Sequence, residues 1–414
     1  MLLDEPRLYS RPPRRAAGLI LLALTGGLAA SAEWPQFRGP SGQGQSTARG
    51  LPLKWSESEN IAWKAALPGQ GWSSPVISGG QIWLTAATER GASLRALALD
   101  QQTGRILHNV EVFRVTGPPA IHEKNTYASP TPILEPGRVY VHFGTLGTAA
   151  LNRQGEIVWK NQQLGYAHGH GAGGSPALAG DLLVISCDGT DQQYVVALDK
   201  NTGKIRWKTP RRGGAMAYTT PLVVPRGSGR QVVSPGGNHA VSYDLESGRE
   251  LWSVDYEGFS GVPRPVFAHG LVYITTGFYN PILMALRPDG SGDVTKSHLA
   301  WQWGRGVPLT PSPLVEGGEI YMVSDNGIAS CLDAKTGQEL WRQRLGGTFS
   351  ASPVSAEGRI YFLNESGEAT VIRAGRALER LAANRLDGRT LASPAIEGRA
   401  IYLRTDSHLY RIEE

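Results

Sequence analysis

Cysteine is nearly absent: Cys187 and Cys331 are the only two in 414 residues. They stand far apart, three repeats apart on the reading below, so no disulfide is expected and both read as small apolar core residues. Charge is sparse too, at 19% of residues against 41% apolar, which excludes a disordered chain. The net charge of +5 owes two units to Arg7, Arg11, Arg14 and Arg15 set against Asp4 and Glu5. What remains is too small an excess for a nucleic-acid binder. Long apolar runs are lacking: residues 16–24 fall short of the roughly 18–20 that cross a bilayer, and no later stretch comes closer. A nucleophile elbow GxSxG, a zinc helix HExxH and a phosphate loop are all missing from the contexts that would give them meaning. Hydrolytic and nucleotide chemistry therefore lack support.

What the chain has in plenty is glycine and proline, 52 and 27 residues spread along its whole length, as in turn-rich β structure. At the start, Arg14 and Arg15 precede the apolar run, and Ala30, Ser31 and Ala32 follow in the small-x-small pattern of a cleavage site. This predicts a secretory signal over residues 1–32 and an exported protein, periplasmic or extracellular, with no transmembrane segment in the mature chain. An uncleaved anchor is the alternative; no cysteine stands at the cleavage site for lipid attachment. Residues 33–59, with their Gly, Ser and Pro, read as an extended strap or a flexible lead.

Self-comparison gives the strongest signal. A unit of Ser-Pro or Thr-Pro, a few apolar residues, a Gly turn and a strand begins at Ser74-Pro75. It recurs at Thr131-Pro132, Ser175-Pro176, Thr220-Pro221, Arg264-Pro265, Ser312-Pro313, Ser352-Pro353 and Ser393-Pro394. A second unit repeats behind it as LALDQQTGRIL, ALNRQGEIVW, ALDKNTGKIRW, SYDLESGRELW and CLDAKTGQELW, closing on Trp159, Trp207, Trp252 and Trp341, with Trp301 equivalent after a longer turn. Four short strands fit each repeat, and a Trp at one register can fill the space between successive sheets. The expected fold is all-β, an eight-bladed β-propeller of four-stranded antiparallel blades over residues 60–414. Its last repeat ends after three strands, at Leu409 to Ile412, and the N-terminal stretch NIAWKAAL supplies the fourth and closes the ring.

These ALDxxTGxxxW units resemble the repeats of pyrroloquinoline-quinone (PQQ) dehydrogenases and of the outer-membrane assembly propeller lipoprotein. The opening WPQFRGPSGQG is similar to the start of exported PQQ-like repeat proteins of planctomycete-type bacteria. The dehydrogenase resemblance implies PQQ above the axis beside Ca²⁺ held by carboxylate and amide groups, under a vicinal disulfide. This chain has no adjacent cysteines and lacks the large insertions of those enzymes.

If each repeat runs from inner to outer strand, the A–B and C–D turns share one face and are short. The opposite face carries the long segments 116–129, 164–174, 210–218 and 256–263, with CDGTDQQ at 187–193. Loops that lengthen on one face usually carry binding. Candidate ligand-binding residues there are His122, Lys124, Asn125, Tyr127, His168, His170, Asp188, Asp191, Gln193, Arg264 and Asp325, with Glu123, Arg211, Arg212 and Asn326 nearby. Asp188 and Asp191 are possible oxygen ligands for Ca²⁺, and His168-Gly-His170 puts two imidazoles on one side of a strand. The Asp-Gly turn and the Gly-rich loop also explain both features without a metal. The leading expectation is a non-catalytic exported propeller that binds an envelope protein or a polysaccharide-like ligand, with no cofactor. The alternative is a PQQ- and Ca²⁺-dependent oxidoreductase of alcohols or sugars.

Overall fold

The computed structural model describes residues 33–414 together with Met1, so the signal-peptide reading lies outside the described residues. Eight antiparallel sheets follow one another along the chain. Blade 1 is made of Val76–Ser78, Gln81–Thr88, Ser93–Asp100 and Ile106–Arg114, here strands A to D from the axis outward. Blades 2 to 7 span residues 133–161, 177–210, 222–255, 266–303, 314–344 and 354–385. Blade 8 takes Ala395–Glu397, Ala400–Arg404 and His408–Ile412 from the C-terminus and Ile61–Ala66 from the N-terminus, paired antiparallel as the outermost strand. The ring closes as its two incomplete ends predict. In blade 5 the longer C–D turn contributes Gly292–Asp293, which pairs parallel with the outer strand of blade 4.

No single core exists. Apolar clusters lie between successive blades, so a strand such as Glu319–Val323 is buried on both faces rather than alternating. The repeated Asp-x-x-Thr-Gly turn has a double purpose. In blade 3 the Asp199 carboxylate accepts from the amide and hydroxyl of Thr202, and Gly203 follows at φ +69°. A Cβ at Gly203 would overlap the Trp159 ring of blade 2, whose indole N–H donates to Lys200 O at 2.9 Å. Glycine is required here both by φ and by the Trp that docks on it. The same pairing joins Trp63 to Gly104, Trp207 to Gly248 and Trp301 to Gly337, each across a blade boundary. The tryptophans are thus interblade fasteners, and Trp63 makes the fastening at the ring closure.

A second fastening circles the axis. The amide of Ser74 donates to the Thr131 hydroxyl, Thr131 to Ser175, Ser175 to Thr220, Arg264 to Ser312, Ser312 to Ser352, Ser352 to Ser393, and Ser393 back to Ser74, all at 2.9–3.1 Å. The hydroxyl before each proline therefore ties neighbouring inner strands together. One link, from blade 4 to blade 5, is broken because Arg264 stands where the other repeats carry Ser or Thr.

Residues 33–46 occupy the channel against the free edges of the inner strands. Trp34 pairs with Ile77 of blade 1, Pro35 O accepts from Leu134 of blade 2, the Gln43 side chain accepts from Phe267 of blade 5, and Gln45 bridges blades 6 and 7. Beyond this plug the chain crosses to Glu357 and Asn384 of blade 7, where Trp55 stacks on Tyr361, and enters the closing strand. Residues 33–59 are thus both plug and strap.

Candidate functional site

On the long-loop face the axis opens into a cavity of about 410 Å³. Phe37 of the plug lines it from the channel, and Ser74, Thr131, Thr220, Ser312, Ser352 and Ser393 supply its polar wall. Each of these hydroxyls already accepts a neighbouring amide and donates to no described residue, so the wall offers O–H donors. His122, Lys124, Asn125, His170 and Tyr218 also stand at the lining, together with the aromatic residues Phe259, Phe278 and Tyr279. Phe278 and Tyr279 are 39% and 84% exposed, unusual for aromatic side chains in this fold.

Of the residues singled out by sequence, four reach this cup: His122, Lys124, Asn125 and His170. The loop 116–129 brings the first three. The Asn125 amide donates to His170 O and Ala172 O, fixing that loop to the next one at 2.8 and 3.1 Å. The His122 Nδ1 accepts the Lys124 amide at 3.1 Å, and its ring meets that of His170 edge to face at 5.3 Å. Burial, and then the neighbouring His122, lower the pKa of His170. Lys124 reaches Glu365 of blade 7 at 2.7 Å. Burial works against the Glu365 carboxylate, but hydrogen bonds from Lys124 and Ser350 hold its pKa below the ordinary value.

The others are placed elsewhere. His168 and His170 do not face the same way: His168 is half-buried, its Nε2 accepts the Thr145 amide and desolvation lowers its pKa to about 4, while His170 faces the cup. The segment is an irregular loop rather than a strand, so alternation does not hold. Tyr127 donates its hydroxyl to Pro119 O. Asp188 ends strand B and lies 3.1 Å from Arg211 Nε in a buried ion pair, burial raising its pKa to about 6 despite the guanidinium. Asp191 accepts the Ala167 and Gln192 amides, Gln193 donates to Gly189 O, and Asp325 accepts the Leu309 and Thr310 amides. These side chains brace loops. Arg264 is buried beside the plug and donates to Phe37 O.

Phe37, Phe278, Tyr279, Glu365 and the hydroxyl wall were not among the sequence candidates. The Ser/Thr-Pro repeat was the available signal for the wall. Nothing in the turn NESGE distinguishes Glu365 from the other short turns.

The carboxylate donors that PQQ with Ca²⁺ would need do not fit this site. Among the described residues no Asp or Glu lines the cup, Asp188 is committed to Arg211, and no group of three metal-ligating side chains occurs.

The family described as outer membrane protein assembly factor BamB matches over residues 45–170, 144–296 and 283–413. A tetrathionate hydrolase of Acidithiobacillus ferrooxidans is 26% identical over 196 residues, covering 44% of this chain and 38% of that protein. The chain therefore spans well under half the length of this curated relative. Among solved structures, BamB from Moraxella catarrhalis superposes with a TM-score of 0.61 at 14% identity, covering 86% of this chain and 97% of that one. A europium-containing methanol dehydrogenase gives 0.68 at 12% identity, with 91% and 90% covered. At such identities these structures share the fold.

Proposed function

The chain belongs to the family described as outer membrane protein assembly factor BamB, and from that membership we propose an exported, non-catalytic propeller that binds a protein of the cell envelope through its long-loop face. The observation that carries this reading is the pair of exposed aromatic residues Phe278 and Tyr279, which line the axial cup from a loop of blade 5 while Lys124 and His122 line it from the loop between blades 1 and 2. Aromatic anchors beside a polar, concave wall suit an extended segment of a partner: rings take its apolar side chains, and the free hydroxyls donate to its backbone carbonyls. A polysaccharide-like ligand offers similar acceptors but makes less use of two adjacent rings at the margin.

The test is site-specific photo-crosslinking in envelopes, with the probe at Tyr279 and, as control, at Asn201 in a short turn of the opposite face. A discrete protein adduct from position 279 alone is expected, weakened by Lys124→Ala. Equal adducts from both faces, or a glycan adduct in place of a protein, would overturn the reading. So would reconstitution with PQQ and Ca²⁺ that yields a quinone absorbance band and dye-linked oxidation of alcohols or sugars.

A further inference from the structure

The one break in the hydroxyl ring places a second arginine beside the plug. Arg264 Nη1 donates to Phe37 O at 3.0 Å, and the next residue, Arg38, donates from Nη2 to Gln43 O and Pro313 O at 2.8 Å each. Both side chains lie within the channel, at 1% exposure for Arg38 and 4% for Arg264. They are close enough that Arg264 adds to burial in lowering the pKa of Arg38 to about 9; burial lowers that of Arg264 to about 10. Both remain charged at neutral pH.

Two guanidinium groups thus share one desolvated space, and among the described residues neither forms an ion pair with a carboxylate. Arg38 Nε and Nη1 and Arg264 Nε have no hydrogen-bond acceptor among the described residues. Gly42 and Gly44, at φ +68° and +90°, press the plug's main chain against Arg264 and Arg38; a Cβ at either position would collide with the guanidinium beneath it. Uncompensated like charges at this depth are strongly unfavourable, and the cost falls sharply when an opposite charge takes up the orphaned donors.

We infer that Arg38 and Arg264 form a binding site for a small inorganic anion, held by their unpaired N–H groups between the plug and the inner strands of blades 5 and 6. The anion balances the pair and fastens residues 33–46 in the channel, which in turn holds Phe37 at the cup. Neither arginine lines the cup, so this site is separate from the partner-binding face and stands whether or not that reading does.

Chloride and bromide are the probes. Thermal unfolding of the full chain is measured in sodium gluconate with chloride replacing gluconate at constant ionic strength. A saturable rise in Tm of roughly 2–5 °C is expected. Arg264→Ser should fold, because it restores the hydroxyl residue used in the other repeats and permits the missing link from Thr220, and it should lose the saturable rise. Crystals grown in bromide should show an anomalous peak between Arg38 and Arg264. A rise of equal size in the variant would mark a general salt effect and overturn the site. So would no chloride response in the unaltered chain, or crystals showing only water, or a bromide peak only elsewhere.

Discussion

Lys124 and Glu365 meet at 2.7 Å although one belongs to the loop between blades 1 and 2 and the other to a turn of blade 7. Blades 8 and 1 lie between them in the ring, so the contact spans the margin of the cup and ties loop 116–129 to a blade it does not adjoin in sequence. Glu365 is also bonded by the Ser350 hydroxyl at 2.7 Å and lies 3.5 Å from Arg389, which fixes its position for Lys124.

Lys124→Ala should therefore free the loop more than it weakens the fold. A partly exposed pair of this kind contributes about 1 kcal/mol. Amide hydrogen exchange across residues 116–129 should speed up severalfold, while Tm falls by no more than a few degrees. Unchanged exchange would show that the Asn125 bonds to His170 and Ala172 hold the loop without the ion pair.

The Trp–Gly fastening predicts a position-specific cost. Gly203→Ala forces an L side chain into positive φ and drives its Cβ into the Trp159 ring, for about 2–4 kcal/mol of lost stability. Gly213→Ala, with no positive φ and open space around it, should change stability by less than about 0.5 kcal/mol. Urea unfolding of the two variants side by side checks the difference.

Much of this fold was legible because its fastenings are written in repeated residues. The Ser/Thr before the proline in every repeat but that of Arg264, and the Trp after the Gly turn in most repeats, recur at a constant place, and the three-stranded end at Ile412 asks for a partner that Ile61–Ala66 provides. The cup was legible only in part. Loop length identifies the face, and His122, Lys124 and Asn125 follow from it. Which way a side chain points in an irregular loop depends on φ and ψ that no periodicity reports, so His168 was grouped with His170, and Asp188 was placed in a loop when it closes a strand. Phe37 lies 79 residues before the first of the long loops at residue 116, and its proximity to the cup is created by the plug that runs through the channel. Arg264 was visible as the odd residue of its series, but its direction, inward to Phe37 O rather than toward the cup, depends on the plug.

The buried pair of Asp188 and Arg211 should behave as a unit. Arg211 also donates to Ser234 O at 2.9 Å, so Asp188→Asn leaves a guanidinium that is hydrogen-bonded but not charge-balanced. Removing one partner of a buried pair typically costs about 3–5 kcal/mol. The double change Asp188→Asn with Arg211→Met should lose less than the sum of the two single changes. Strict additivity in urea midpoints would show that the two charges do not interact.

Acid should destabilise the ring through histidines held neutral inside it. Burial, chiefly, lowers the pKa of His142 to about 3 and those of His168 and His239 to about 4. In the unfolded chain each imidazole titrates near 6.5. Between the two values the unfolded state binds more protons than the folded one, so stability rises with pH there. The contribution is complete above about pH 6.5 and is lost as pH falls toward 4, by on the order of 2 kcal/mol for each buried ring. His142 shares a 2.8 Å hydrogen bond with the Thr148 hydroxyl, which the amide of His142→Gln can replace without a titrating group. Tm measured from pH 8 to pH 4 should fall less steeply in this variant than in the unaltered chain. Parallel curves would mean that His142 is not among the groups that carry the acid sensitivity.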